Sequence, residues 1–249
     1  MQHLLPYAVS MGLALASPAF AAGHGQSLDY SVDGKNFQAY VVSPSTPSKG
    51  KVFIVHDWDG LNDYEKGRAN QLAALGYEAV ALDLFGTDAT LEGPEDYRRE
   101  TGALYADRSA FRARLKTAVI AASGTFGADT KAFMIGFCFG GAATLEAARA
   151  GLDLDGFVSF HGGLSTPEGQ DYAATKGPVL VLHGSADPAS GMAALANLLD
   201  QLQAANIPHG AEVFGGARHS FTVMGSRDYD AAAEQGAWQA FMRFLEKNS

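Results

Sequence analysis

The run Phe133-Met134-Ile135-Gly136-Phe137-Cys138-Phe139-Gly140 decides how the rest of the chain is read. Three apolar residues lead into Gly-x-Cys-x-Gly, the spacing of a nucleophile elbow, where a strand turns sharply into a helix and presents one side chain above the sheet. Glycines stand two residues before and two after that side chain because the turn is too crowded for other residues. The usual elbow carries serine; here the hydroxyl is replaced by a thiol. Cys138 is the only cysteine of the chain, and no other segment fits G-x-[Ser or Cys]-x-G.

An elbow requires a strand before it and a helix after it, and the flanking sequence repeats that alternation. Short β-branched and aromatic runs at Val52–Val55, Glu78–Leu82, Lys131–Ile135, Gly156–Phe160, Val179–Leu182 and Ala211–Phe214 are separated by longer helical patterns. This is the signature of βαβ units. An earlier pair, Leu28–Val32 and Phe37–Val42, joined by Asp33, Gly34 and Lys35, reads as an antiparallel edge hairpin. Helical stripes run through Phe111, Leu115, Ala118, Val119 and Ala122 up to Gly124, through Leu195, Leu198, Leu199 and Leu202, and through Trp238, Phe241, Met242 and Leu245. They read as core faces. Residues 86–106 are less periodic and read as a surface excursion over one edge of the sheet. The expected fold is therefore α/β: a mostly parallel central sheet, helices on both faces, and the N-terminal hairpin at one edge.

In open α/β sheets ligands bind at the carboxyl ends of the strands, so the residues just past each strand are the ones to inspect. After Leu182 come His183, Gly184, Ser185, Ala186 and Asp187; after Phe214 come Gly215 to Ser220, with His219 among them. Nucleophile, acid and histidine thus follow in the order Cys138, Asp187, His219, the order found in α/β-hydrolases. A free thiol is mostly protonated at neutral pH, so the reading expects His219 and the positive end of the following helix to lower the Cys138 pKa. Asp187 would hold the other ring nitrogen of His219. Phe139 N–H would be one oxyanion donor, and a second would come from the loop Asp57-Trp58-Asp59-Gly60. Phe137 and Phe221 are candidate walls for an apolar acyl or ring group. His56, His161 and His183 also follow strands; their spacing matches no metal-ligand motif, and they read as hydrogen-bonded supports, with no metal or other cofactor.

With these residues in place, the chain resembles the dienelactone hydrolase, or carboxymethylenebutenolidase, family of α/β-hydrolases. The similarity runs from about Asp29 to Phe244 and rests on four stretches: His56–Gly60, Gly136–Gly141, Gly184–Pro188 and His219–Phe221. The resemblance implies a Cys138, His219, Asp187 triad, with Trp58 N–H and Phe139 N–H as the oxyanion hole. Members acting on dienelactone carry a glutamate after the first core strand that contacts the resting thiol; the matching residue here is Asp57, one methylene shorter. They also carry an arginine four residues past the histidine that binds the substrate carboxylate; here that position is Val223. The implied activity is hydrolysis of an ester or lactone less dependent on an anionic group, with a general carboxylesterase or thioesterase, or a non-catalytic or redox-responsive thiol protein, as alternatives.

Composition bounds the rest. The formal charge of −9 argues against nucleic acid or an anionic membrane surface as partner. The first 22 residues hold no acid, lysine or arginine, run apolar from Leu4 to Ala16 and end in Ser17-Pro18-Ala19-Phe20-Ala21. They read as a secretory signal cleaved after Ala21, placing the protein in the periplasm or outside the cell. Residues 22–249 then form one domain, expected to be a monomer, and a lone cysteine permits no internal disulfide.

Overall fold

Five consecutive sheet members owe their place to runs that bury almost every residue, as strands covered on both faces must. These are β3 (Lys51–Val55), β4 (Glu78–Leu82), β5 (Ala132–Phe137), β6 (Gly156–Phe160) and β7 (Val179–Gly184). The computed structural model describes residues 25–123 and 130–249; the expected signal segment, residues 1–21, and the expected helix stop at Gly124 lie outside them. Before the parallel strands, β1 (Gln26–Val32) and β2 (Lys35–Val42) form the antiparallel hairpin, and β8 (His209–Phe214) closes the far edge. The hairpin turn is two residues long: Asp33 and Gly34 both take positive φ, 49° and 79°, which matches the twist of the flanking strands.

The eight strands run in the order β1-β2-β4-β3-β5-β6-β7-β8, antiparallel from β1 to β4 and parallel from there on. Side chains alternate between faces with period two, and that period sorts the core into two layers. Phe53, Val55, Met134, Phe157, Val179 and Val181 meet Leu104 of α2 (Pro94–Ala106), Phe111, Leu115 and Ala118 of α3 (Arg108–Ser123), α4 (Phe139–Arg149) and α5 (Met192–Ala204). Val52, Ile54, Phe133, Ile135, Phe137, Val158, Phe160 and Leu182 meet α1 (Asp63–Ala74) and α6 (Ala231–Asn248) on the other side. This is the α/β-hydrolase fold, with helices on both faces as expected.

Two sequence expectations need correction. Residues 86–106 are not wholly an irregular excursion: Pro94–Ala106 is helix α2, started by Pro94 after Gly93. Only Leu104 of α2 is buried, so no apolar stripe announces it. His183 does not follow its strand either, because β7 continues through Gly184 and buries the ring completely.

The chain reverses its direction of winding across the sheet at β3, which lies between β4 and β5. Such a switch point leaves a crevice at the carboxyl ends of the two strands. Asp57 and Trp58 follow β3, and Cys138 follows β5.

Candidate active site

The elbow is built by close approach. A Cβ on Gly136 would overlap the Gly140 carbonyl, and one on Gly140 would overlap the Val55 carbonyl of β3, so neither position tolerates a side chain. The left-handed conformation falls on Cys138 itself, φ 50° and ψ −109°. Among the described residues, His161 (φ 39°) and Ser220 (φ 58°) share that region at the same end of the sheet. Each such residue costs about 1–3 kcal/mol, a strain found mostly where function requires it.

Cys138, His219 and Asp187 lie on three separate elements and meet in one chain of close polar contacts. His219 Nε2 is 2.9 Å from Cys138 Sγ, and His219 Nδ1 is 2.8 Å from Asp187 Oδ2. The other Asp187 oxygen accepts from the N–H groups of Ala189 (2.7 Å) and Ser190 (3.2 Å), so its loop closes around it. Burial opposes the ionised form of Asp187, but His219 and these two N–H groups outweigh it and leave the carboxyl below its ordinary value. Burial likewise opposes the charged form of His219, yet Asp187, Asp57 and Asp228 together raise its pKa. These contacts fix the tautomer of the neutral ring, Nδ1–H towards Asp187 and Nε2 towards sulfur.

The thiol has a second neighbour. The Asp57 carboxyl, in the loop after β3, acts on the Cys138 thiol by charge and by hydrogen bonding. Burial, then the Asp57 charge and its hydrogen bond, push the thiol pKa well above its ordinary value, against the Phe139 N–H that favours the thiolate. This reverses the expectation that His219 and the helix end lower it: in the resting site the thiol holds its proton. Asp57 is itself pushed up to about 6, chiefly by burial.

Asp57 is held from below by Glu65, whose Oε1 accepts the Asp57 backbone N–H at 3.1 Å while Oε2 accepts Asn62 N–H at 3.2 Å. Asn62 and Glu65 form the capping box of α1, so the start of that helix is tied to the loop after β3. Burial raises the Glu65 pKa to about 8. His56 fixes the same loop: Leu84 N–H donates to its Nε2 at 3.1 Å, and its Nδ1–H donates to the Asp57 carbonyl at 2.6 Å. His56 and His161 thus spend both ring nitrogens on protein partners, as supports do.

The expected oxyanion donors stand differently. Phe139 N–H, at the open end of α4, favours the thiolate form of Cys138. Trp58 N–H is occupied, donating to Asp57 Oδ1 at 2.5 Å. Phe137 and Phe221, expected as pocket walls, are fully buried in the core, Phe137 against Tyr64 and Phe160 and Phe221 against His161 and Phe214. The cavity beside the thiol measures about 210 Å³ and is lined by Trp58, Thr101, Tyr105, Cys138, Phe139, Gly163, Ala189 and His219. Thr101 and Tyr105 come from α2, which sequence reading missed, and among the described residues no lysine, arginine or carboxylate lines the cavity. Arg98 and Arg108 stay outside, over the rings of Trp58 and Tyr105. A depression of about 420 Å³ beside β2, with Lys66 and Asp83, is larger but holds no nucleophile.

Residues 37–249 match the family described as "Dienelactone hydrolase family". A Saccharolobus solfataricus protein named "Putative carboxymethylenebutenolidase" is 26% identical over 254 residues, 88% of this chain and 97% of its own length. A protein of the same name from Methylorubrum extorquens is 30% identical over 200 residues, 76% of this chain and 68% of its own length. Among solved structures, a dienelactone hydrolase-like promiscuous phosphotriesterase from metagenomic libraries superposes with a TM-score of 0.81 at 30% identity, covering 90% of this chain and 98% of that one.

Proposed function

The chain belongs to the dienelactone hydrolase family, hydrolases acting on esters or lactones, and on that premise we propose that it works through a Cys138 nucleophile, a His219 base and an Asp187 orienting acid. The observation that carries the reading is the continuous chain from Sγ to His219 Nε2 at 2.9 Å and from Nδ1 to Asp187 at 2.8 Å.

In this reading the thiol sits between two proton acceptors. At rest it donates to the Asp57 carboxylate and is weakly nucleophilic. A substrate carbonyl entering the cavity needs N–H donors for the oxygen that becomes an oxyanion, and Phe139 N–H is one. Trp58 N–H becomes the second only when the substrate oxygen displaces Asp57 Oδ1. Freed of Asp57, the thiol passes its proton to His219 Nε2 as sulfur attacks the carbonyl carbon, and Asp187 stabilises the imidazolium. The imidazolium protonates the leaving alkoxide, which departs as alcohol and leaves a thioester on Cys138. His219 then takes a proton from water, hydroxide adds to the acyl carbon, and sulfur leaves and recovers its proton.

The wall chemistry narrows the substrate. A cavity walled mainly by Trp58, Tyr105, Phe139, Gly163 and Ala189, with no lysine or arginine among the described residues that line it, favours uncharged acyl groups, and Val223 supplies no clamp for a carboxylate. Export with cleavage after Ala21 belongs to the same proposal and rests on the sequence of residues 1–21 alone.

The test is a hydrolysis panel of p-nitrophenyl acetate, an aryl thioester and dienelactone, run with wild type and Cys138→Ala. Turnover of neutral esters by wild type, reduced about 10³-fold or more in the alanine variant, is the expected result, on the scale of nucleophile removal in acyl-transfer enzymes. An alanine variant with full activity removes the nucleophile assignment. Strong preference for dienelactone removes the neutral-substrate assignment, and rapid Cys138 alkylation without any ester turnover favours a thiol protein that does not hydrolyse.

A further inference from the structure

His161, the residue after β6, is fully buried and contacts the elbow from beneath. Its Nδ1 lies 3.2 Å from the Cys138 backbone N, whose N–H also reaches the Phe160 carbonyl at 3.1 Å. An amide only donates, so Nδ1 accepts and the neutral ring carries its proton on Nε2. Nε2 lies 2.8 Å from Thr222 Oγ1, and donates to it. Thr222 is anchored in turn: its hydroxyl meets Tyr64 Oη at 2.7 Å, and its carbonyl accepts from Arg68 Nη2 at 3.1 Å. Arg68, on α1, is paired with Glu234 on α6 at 2.5 Å. On its other side the His161 ring meets the His219 ring near-perpendicularly, with centroids 5.5 Å apart.

One side chain therefore touches the backbone of Cys138 and the imidazole beside the thiol, and is rooted in two helices behind the sheet. We propose that His161 is a positioning residue for ester cleavage, a strut that holds the strained Cys138 backbone and the His219 ring in register. The proposal rests on Cys138 being the nucleophile. Protonation would disable the strut, because an Nδ1–H would then oppose the Cys138 N–H. Burial, and after it the facing His219, hold the ring well below its ordinary pKa; Arg68 acts the same way and Asp187 opposes. The proton taken from sulfur thus stays on His219.

The experiment compares His161→Phe, which keeps a ring but no acceptor, with His161→Asn, whose side-chain oxygen stands close to the place of Nδ1. Both are assayed on p-nitrophenyl acetate from pH 5 to 9, beside wild type and Cys138→Ala, with folding checked by circular dichroism. His161→Phe lowers kcat/KM by about tenfold to a hundredfold, the scale of a misplaced reacting group. His161→Asn lies between it and wild type, and the acid limb of the pH profile keeps its midpoint in both. Wild-type kcat/KM in a folded His161→Phe, an asparagine variant no better than phenylalanine, or loss of the acid limb would each overturn the role. If His161→Phe does not fold, Thr222→Val decides: it removes the anchor of the ring, along with the hydroxyl contact to Tyr64, and a smaller fall in kcat/KM with an unmoved acid limb is expected, whereas no fall overturns the proposal. Cys138→Ala separates the two levels. Full activity there defeats the nucleophile reading, while an inactive Cys138→Ala beside a fully active His161→Phe defeats only the strut.

Discussion

At the scale of the residue, the resting chemistry turns on Asp57. Its carboxylate disfavours ionisation of the Cys138 thiol and accepts the Trp58 N–H at once, so in the proposed cycle one side chain occupies both the nucleophile and an oxyanion donor until substrate arrives. Replacing it with asparagine removes the charge that, after burial, contributes most to raising the Cys138 pKa. Asp57→Asn is therefore expected to lower the midpoint of Cys138 alkylation by iodoacetamide by about one to two pH units, the size of a single close charge effect. A midpoint that stays where it is in wild type shows that Asp57 does not control the thiol. The position was legible in sequence, since Asp57 follows a strand. The capture of Trp58 N–H was not, because it depends on the rotamer Asp57 adopts under the elbow.

At the scale of the element, the helices on the elbow side are locked by a buried ion cluster. Glu146 of α4, fully buried, pairs with Arg108 and Arg112 of α3 at 3.1 and 2.6 Å and with Arg149 of its own helix at 2.9 Å. Burial opposes its charge, but the arginines more than offset that and hold the carboxyl below its ordinary value. Glu146→Ala strands the buried Arg149 guanidinium, and breaking such a pair costs about 3–5 kcal/mol. Urea unfolding measures it, and a loss below about 1 kcal/mol would show that Gln170 and Tyr172 hold Arg149 without Glu146. The same α3 packs Phe111 parallel to Phe139 of the elbow and edge-on to Tyr105 of α2, so α2 reaches the cavity by leaning on α3. Periodicity reveals helices with a broad apolar face, such as α3 and α6. It is silent on α2, whose single buried residue does not make a stripe.

At the scale of the whole molecule, buried ionisable groups make stability depend on pH. Glu65 has its pKa raised from 4.5 to about 8, so the folded state binds that proton more tightly than the unfolded chain. Its contribution is complete below about pH 4.5 and is lost as pH rises through 8. Asp57, raised from 3.8 to about 6, acts in the same direction lower down. The depressed histidines His56, His161 and His183 act in the opposite sense, but only below about 6.5, because above it they are neutral both folded and unfolded. The interval from pH 6.5 to 8 therefore isolates Glu65 and, with the same sign, His219. Thermal unfolding is expected to show wild type losing up to about 2 kcal/mol across it from Glu65, at about 1.4 kcal/mol per pH unit, with the His219 share added. Glu65→Gln, which keeps a capping side chain at that position, reduces the loss to the share of His219. A variant that falls as steeply as wild type would show that Glu65 ionises freely in the folded protein.

The amino-acid sequence by itself determined the strand–helix alternation, the glycine frame around Cys138 and the order Cys138, Asp187, His219. These are local properties: periodicity, turn chemistry and crowding within a few residues specify them wherever the chain goes. Only the tertiary structure decided that burial and the Asp57 charge bear on the thiol, that α2 rather than Phe137 and Phe221 walls the cavity, and that His161 meets the Cys138 backbone N–H. Those outcomes depend on burial and on contacts between residues far apart in the chain. Cys138 and His219 are 81 positions apart, and His161 and Thr222 are 61 apart. No pattern within the sequence carries such distances; the fold brings them within hydrogen-bond reach.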